Sequence, residues 1–268
     1  LATPPFRQLI TRNFMTWDPA QYLTFGGHRI RPALDLLSAV PMEAPARILD
    51  LGCGPGNVTQ FLQGRWPNAK VIGLDSSAEM LEKAHAAHPD MEWLEADLSD
   101  WMPDEPFDLL YSNAVLQWVR GHTNVFPDLL KWVKPGGYIA IQMPRNFMAR
   151  SHTTVYETIR SGDWKDRLEP LIRDEPTSPP NFYYDLLTPL VQSLDIWETE
   201  YQQILDGENP VPEYVKGSWL KPFLDALEEP EKSTFEAEYK KNVFVHYPPQ
   251  SDGNTLFPFR RLFIVAQV

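Results

Sequence analysis

Between residues 45 and 143 the sequence alternates short apolar runs with amphipathic stretches. The apolar runs predict strands at 46–51, 70–75, 91–96, 107–112 and 138–143. The amphipathic stretches predict helices at 57–66, 76–88 and about 123–133. Strands that alternate with helices pair in parallel through right-handed crossovers. The pattern therefore predicts an α/β fold with a doubly wound, mostly parallel sheet.

After residue 143 the alternation ends and helical patterns dominate. Helices are predicted at 150–161, 182–194, about 211–227 and 230–246, with strands at 195–205 and 262–268. We expect one domain over 15–268, with a helical cap of about 144–181 and 206–258 inserted into its C-terminal half, over the ligand-binding edge of the sheet. Residues 1–14 are predicted to be an extension, or residues left from expression, outside the fold.

Composition and charge limit the kinds of partner and the cell compartment that are expected. A net charge of −12 and a pI near 4.9 disfavour nucleic acid, so a small molecule is the expected partner. Neither an apolar run of membrane-spanning length nor a secretory signal is visible, so no membrane association is expected. A single cysteine, Cys53, excludes an internal disulfide and a cysteine-based zinc cluster. We expect a cytoplasmic protein without a metal, as a monomer or weak homodimer.

The glycine-rich stretch LDLGCGPGN, residues 49–57, directly follows the first predicted strand. Glycines at this edge of a parallel sheet let the backbone approach a ligand closely. A nicotinamide dinucleotide would require a G-x-G-x-x-G pattern, but the third glycine position holds Asn57. Asp50 lies just before the turn, where its carboxylate would repel a pyrophosphate and favour a cationic ligand.

The acid followed by three alternating glycines resembles the first motif of the class I S-adenosylmethionine-dependent methyltransferases, whose cofactor carries a sulfonium and an ammonium group. The resemblance implies a Rossmann-like fold with a seven-stranded sheet. It also implies that Asp75 accepts from the ribose hydroxyls, that Asp97 accepts from the adenine amino group, and that the carbonyl of Asn113 receives the ammonium. The full set of expected cofactor residues is Asp50, Gly52, Gly54, Gly56, Asp75, Ser76, Asp97, Leu98, Asn113, Trp118, Arg29 and Tyr22.

Segments outside the cofactor motifs resemble those class I members that methylate trans-aconitate. They are 17–41, 112–119, 142–147, 183–187, 195–201 and 257–266. The implied reaction transfers a methyl group to a carboxylate oxygen and gives a monomethyl ester. A carboxylic acid with a pKa of about 4 is already ionised at neutral pH, so no general base is expected. Catalysis would rest on alignment and desolvation, with no catalytic side chain.

A polycarboxylate acceptor needs cations for its non-reacting carboxylates, and arginine is the natural partner. The candidates for substrate binding are Arg31, Gln117, Arg145, Tyr183, Trp219, Arg260 and Arg261. Arg29 or Arg31 could instead hold the carboxylate of the cofactor, with Tyr22 covering it, and the sequence does not separate these roles.

Other functions stay open at this stage. A methyltransferase for another small carboxylic acid or natural product would use the same fold with a different cap. Asp50 and Asn57 disfavour a nicotinamide oxidoreductase. A protein that binds the cofactor without turnover can be distinguished from an enzyme only by an activity assay. A nucleic-acid methyltransferase would carry an Asn/Asp-Pro-Pro-aromatic motif after the fourth strand, which the sequence lacks.

Overall fold

Seven strands form one mixed sheet in the computed structural model, which describes residues 26–173 and 175–268, with side chains from Ile30 onward. The strands are β1 (Arg47–Leu51), β2 (Lys70–Asp75), β3 (Glu92–Glu95), β4 (Phe107–Asn113), β5 (Val133–Pro144), β6 (Ser193–Leu205) and β7 (Thr255–Gln267). Their order is β3-β2-β1-β4-β5-β7-β6, and β7 is the one strand of these seven that runs opposite to the other six. The predicted doubly wound, mostly parallel sheet is confirmed, and its strand order reverses between β1 and β4, where such sheets bind ligands.

Ten α-helices lie among the described residues: α1 (Gly26–Ala39), α2 (Thr59–Arg65), α3 (Ala78–Ala87), α4 (His122–Leu130), α5 (Arg150–Ser161), α6 (Lys165–Leu168), α7 (Pro180–Leu187), α8 (Val211–Val215), α9 (Lys221–Asp225) and α10 (Glu231–Phe244). A π-helical segment, Lys216–Leu220, joins α8 to α9. The hydroxyl of Ser77 accepts the Met80 N–H at 3.4 Å, so the predicted serine cap begins α3.

Several boundaries differ from the sequence prediction; strand β5, for example, begins at Val133 and not at residue 138. Helix α2 begins at Thr59 rather than Asn57, because Gly56, at φ +78°, keeps the chain in a turn. Helix α7 ends at Leu187, since Pro189 has no N–H to continue it, and the chain enters β6 at Ser193. Strand β7 begins at Thr255, well before residue 262, because it pairs with the whole length of β6.

The buried residues form separate clusters. Alternate residues of β1 face opposite sides of the sheet: Leu49 packs in a cluster with α4 and α7, and Ile48 in a cluster with α1 and α2. A third cluster belongs to helices α5, α6 and α8–α10, which we call the helical cap, and it includes Phe235 and Tyr239. The cap therefore has a hydrophobic core of its own, with the far ends of β6 and β7 beneath it.

Two predictions about the organisation of the chain are not tested by the fold. Residues 1–14 lie outside the described part of the chain, and the division into a domain with an inserted cap stays a prediction. In the described ranges, no helix combines the length and apolar character needed to cross a bilayer.

Candidate functional site

A cavity of about 1270 Å³ lies at the carboxyl ends of β1, β2 and β4, between the sheet and the helical cap. Ligand pockets for a single small molecule typically span about 300–1,000 Å³. This cavity therefore has room for two small molecules side by side.

The glycine-rich turn after β1 forms part of the cavity wall. Gly52 has φ +74°, and a Cβ there would lie 2.2 Å from Cγ2 of Val115. The N–H groups of Gly52 and Cys53 both donate to the carbonyl oxygen of Leu74, at 2.7 and 3.0 Å. Only glycine fits at residue 52, because the turn lies directly on the end of β2 and against the segment after β4.

Asp75 ties this turn to β2. Its Oδ2 accepts the Gly54 N–H at 2.8 Å, and its Oδ1 accepts the Ser77 N–H at 2.9 Å. Burial raises the pKa of Asp75, and these backbone hydrogen bonds oppose that rise. The carboxylate thus lies at the cavity wall, between the first turn and the start of α3.

Asp50 is almost fully enclosed, with 2% of its surface exposed. Burial, the largest cause, and the nearby negative charge of Asp75 raise the pKa of Asp50 to about 7, although a hydrogen bond from the Thr59 hydroxyl works against this. That hydroxyl donates to Oδ2 of Asp50 at 2.7 Å. A cation in the cavity would favour the ionised form of Asp50.

The segment after β4 has an unusual backbone. Ala114 has φ +58°, in the left-handed region that residues with a Cβ rarely adopt. Its N–H donates to the Gln142 carbonyl at 2.9 Å, and its own carbonyl accepts from Nε2 of Gln117 at 2.7 Å. These bonds hold the strained residue beside Asn113 at the cavity.

Two buried side-chain oxygens at this segment have no hydrogen-bond partner among the described residues: Oδ1 of Asn113 and Oε1 of Gln117. A buried acceptor without a partner costs about 1–3 kcal/mol, so a ligand donor would stabilise both. Together with Asp50 and Asp75, these acceptors fit a ligand with an ammonium and a sulfonium group.

Asp97, which the family resemblance predicts at the adenine of the cofactor, lines the cavity after β3. Its Oδ1 accepts from the N–H and the hydroxyl of Ser99, at 2.9 and 2.7 Å. The tight turn that results presents Leu98 to the cavity, and Trp118, 43% exposed, lies at the rim.

Most of the expected cofactor residues line this one cavity: Asp50, Gly52, Gly54, Asp75, Ser76, Asp97, Leu98, Asn113 and Trp118. Gly56 does not line it but lies beneath the turn, where a Cβ would meet the ring of Trp93 at 2.6 Å. Tyr22 lies outside the described residues. Arg29 belongs to α1, but its side chain also lies outside the described part of the structure.

The cap side of the cavity is aromatic. Trp219, in the π-helical segment, has its ring centre 5.1 Å from that of Phe147 and 4.9 Å from that of His152. Nε1 of Trp219 is buried without a hydrogen-bond partner among the described residues. Burial lowers the pKa of His152 to about 3, so its imidazole is neutral at physiological pH. Segments of π-helix often occur at functional sites, and the sequence pattern did not reveal this one.

Arg261 adds a buried cation to this side. It is 5% exposed and lines the cavity, its Nη1 donates to Oε1 of Gln142 at 3.4 Å, and its Nε has no partner among the described residues. Its guanidinium carbon lies 4.7 Å from the centre of the Phe259 ring. A buried, uncompensated cation is costly, so the site favours an anionic ligand.

Three other predicted arginines are not at the cavity. Arg145 forms an ion pair with Glu198, and Nη2 of Arg260 lies 3.5 Å from Oε2 of Glu200. Arg31 is exposed, 4.0 Å from Asp35. For Arg260 the reason is strand periodicity, since neighbours in β7 point to opposite faces and Arg261 takes the inward position.

Tyr183 is also placed elsewhere than predicted. It is fully buried in the core below the sheet, where its hydroxyl donates to Nδ1 of His122 at 2.7 Å and accepts the Ser178 N–H at 3.2 Å. Nε2 of His122 donates to the carbonyl of Leu116 at 2.8 Å. Tyr183 therefore connects the segment after β4 with the start of α7. The remaining predicted substrate residues, Gln117, Trp219 and Arg261, do line the cavity.

Sequence reasoning missed several lining residues, among them Arg120, His152 and Arg173. Arg120 had a usable signal, because it follows directly on the cofactor segment 113–119. Arg173 and His152 lie in stretches without a motif, and only the packing of the cap brings them to the cavity.

The chain is similar in sequence to known proteins. Residues 48–137 match the family described as a methyltransferase domain. The chain is 47% identical over 251 residues to the trans-aconitate 2-methyltransferase of Azoarcus sp. (strain BH72), covering 94% of this chain and 98% of that protein. It is 46% identical over 260 residues to the protein of the same name from Streptomyces avermitilis, covering 94% and 96%.

Solved structures share the fold at low identity. Phosphoethanolamine N-methyltransferase 2 of Haemonchus contortus, solved with S-adenosyl-L-methionine, matches with a TM-score of 0.53 at 15% identity, covering 88% of this chain and 52% of that chain. The YcgJ protein of Bacillus subtilis matches with a TM-score of 0.54 at 13% identity, covering 88% and 97%.

Proposed function

The chain belongs to the trans-aconitate 2-methyltransferase family of S-adenosylmethionine-dependent methyltransferases, and we propose that it converts trans-aconitate to a monomethyl ester. One observation carries the proposal: the two sides of the cavity have opposite polarity. Around the ends of β1, β2 and β4 the cavity presents the Asp50 and Asp75 carboxylates and unpartnered oxygens, and around Trp219 it presents unpartnered N–H donors and the buried guanidinium of Arg261.

The sheet side would hold the cofactor. Asp75 would accept from the ribose hydroxyls, Asp97 and Leu98 would lie at the adenine, and Asn113 would receive the ammonium. When bound, the cofactor supplies a methyl group activated by its sulfonium. The negative charges of Asp50 and Asp75 stabilise such a cation at this end of the cavity.

The cap side would hold the acceptor. The Nε donor of Arg261 and the Nε1 donor of Trp219 are both buried and unpartnered in the described chain, and a carboxylate would satisfy them. The neutral His152 adds polarity to the site without adding charge. Arg261 would bind a carboxylate that does not react, which leaves another carboxylate free to face the sheet side.

The acceptor needs no proton removed, because a carboxylic acid is ionised at neutral pH. The chain's contribution is then to hold the reacting oxygen in line and to exclude water, and the aromatic wall of Phe147, His152 and Trp219 serves the second purpose. Attraction between the reactants weakens as their charges cancel, so positioning by Arg261 contributes more to rate than charge attraction does.

The direct test is incubation with S-adenosylmethionine labelled in its methyl group and a panel of mono-, di- and tricarboxylic acids. We expect a base-labile methyl ester, formed fastest with trans-aconitate. Faster transfer to another small acid or to a natural product would favour the alternative acceptor instead. A base-stable product, or no transfer to any carboxylic acid, would contradict the proposal.

We further infer a cytoplasmic enzyme, monomeric or weakly dimeric, that acts on small molecules and not on nucleic acid. The net charge of −12 and the single cysteine, buried in the turn after β1, support this inference. Light scattering after size exclusion, with and without added nucleic acid, measures the mass of the particle and tests its oligomeric state and its binding of nucleic acid.

A further inference from the structure

The arginines at the cavity differ from most other cations of the described chain because they form no ion pair with a described carboxylate. Most lysines and arginines of residues 31–268 lie within 4.0 Å of a carboxylate, as Arg167 does with Glu231 at 2.6 Å. The three arginines that line the cavity, Arg120, Arg173 and Arg261, have no such partner among the described residues. In a protein of net charge −12, three unpaired arginines around one cavity indicate a site for anions.

Arg120 and Arg173 belong to opposite walls of the cavity. Val119, next to Arg120, packs against the cluster that lies under the sheet. Ile172, next to Arg173, packs against the core of the helical cap. An anion held by both guanidinium groups would therefore bridge the sheet and the cap.

The two side chains line the same cavity and influence each other electrostatically. Burial, and after it the positive charge of Arg120, lowers the pKa of Arg173. Like charges that face one cavity repel each other, and a carboxylate bound between them would offset the repulsion and accept from both. Arg120 is exposed and Arg173 is half-buried, so the pair is open to a ligand that enters from solvent.

We propose that Arg120 and Arg173 form a second carboxylate site, which holds the acceptor carboxylate that neither reacts nor contacts Arg261. The proposal rests on the proposed function and extends it to acceptor selection. With Arg261 it gives the cavity two anchors for non-reacting carboxylates, as a tricarboxylate requires. A dicarboxylate can occupy only one of them while its other carboxylate reacts, so the pair selects tricarboxylates.

The experiment compares wild type, Arg120→Gln and Arg173→Gln with two probes: trans-aconitate, and mesaconate, an unsaturated dicarboxylate that lacks one of its carboxylates. Binding is measured by calorimetry on enzyme saturated with S-adenosylhomocysteine, and transfer is measured in parallel. We expect either variant to lower affinity and kcat/KM for trans-aconitate by about tenfold. Mesaconate has a single non-reacting carboxylate, which the buried Arg261 would hold, so its values should change less than about twofold.

Arg167→Gln is the matched control, since it removes an exposed, paired arginine of the cap, and it should leave both probes unaffected. Unchanged trans-aconitate binding, or equal losses for both probes, would overturn the second site. If wild type binds trans-aconitate through the pair but transfers no methyl group, the site stands and the proposed function fails.

Discussion

The backbone N–H of Gly54 donates a 2.8 Å hydrogen bond to Oδ2 of Asp75, so the carboxylate at the end of β2 fixes the turn that follows β1. One side chain thus holds the turn after β1 and the start of α3, two parts of the cavity wall. The same oxygens are the ones expected to accept from a ribose.

Asp75→Asn should weaken cofactor binding by about tenfold or more, because an amide replaces one acceptor oxygen by a donor and loses a charge-assisted hydrogen bond. Calorimetry with S-adenosylhomocysteine measures the effect. Asp104→Asn, an exposed acid away from the cavity, is the control and should bind normally. Unchanged affinity in Asp75→Asn would remove this residue from the cofactor site.

Cofactor affinity should depend on pH through Asp50. With a pKa of about 7, Asp50 is neutral in more acidic solution and ionised above. Because the ionised form favours a cation, affinity for S-adenosylmethionine should rise by up to about tenfold per pH unit below 7 and level off above it. Asp50→Asn should flatten the profile between pH 6 and 8, and a wild-type profile that is already flat would contradict the role.

Asp50 should also make the stability of the protein depend on pH. Stability should fall as pH rises, whereas cofactor affinity should rise. The folded-state pKa of Asp50, about 7, lies above the ordinary value of 3.8, so the folded state keeps its proton longer than the unfolded state does. The contribution of Asp50 to the free energy of unfolding should therefore fall as pH rises from about 4 to 7, and stay constant above. Chemical denaturation of wild type and Asp50→Asn should show curves that converge at low pH and separate at pH 8, with the variant more stable.

Arg261→Gln should raise the KM for the acceptor by about 30-fold, corresponding to roughly 2 kcal/mol for a buried charged partner, and leave the KM for the cofactor nearly unchanged. Arg260→Gln is the matched control, since Arg260 is the exposed neighbour paired with Glu200, and its acceptor KM should stay within about twofold. Equal effects of the two variants would show that Arg261 does not bind the acceptor, and Arg261→Lys, which keeps the charge, checks folding.

Tyr183→Phe should destabilise the protein without changing acceptor KM. The substitution leaves Nδ1 of His122 and the N–H of Ser178 without their partner, at a cost of about 1–3 kcal/mol. Thermal unfolding should show a Tm lower by about 2–4 °C for each kcal/mol lost. Tyr184→Phe, at the exposed neighbour, should have no effect on Tm. A raised acceptor KM in Tyr183→Phe at unchanged Tm would indicate direct contact with substrate instead.

The sequence was most informative about the residues at the carboxyl ends of the parallel strands. Asp75 and Asn113 are the last residues of β2 and β4, and Asp50 is the last but one of β1. The carboxyl ends of parallel strands meet at one edge, so the shared location of these residues at one cavity could be predicted from the motif and its position after the strand. The strands and the helix at 150–161 were recognisable because their apolar periodicity is regular.

The acceptor side could not be predicted in the same way. Choosing between Arg260 and Arg261 requires knowing which face of β7 is covered, and this depends on a cap that is distant in sequence. Trp219 was identified by type, but the π-helical segment that carries it leaves no local pattern. Arg173 reaches the cavity only through the packing of Ile172 and its neighbours in the cap core.

The separate hydrophobic cores of the sheet and the helical cap have an evolutionary consequence. Substitutions among the cap residues can reshape the acceptor wall while the packing beneath Asp50, Asp75 and Asn113 is inherited unchanged. A lineage with this architecture can therefore acquire a new acceptor by altering the cap alone, and keep its methyl donor throughout.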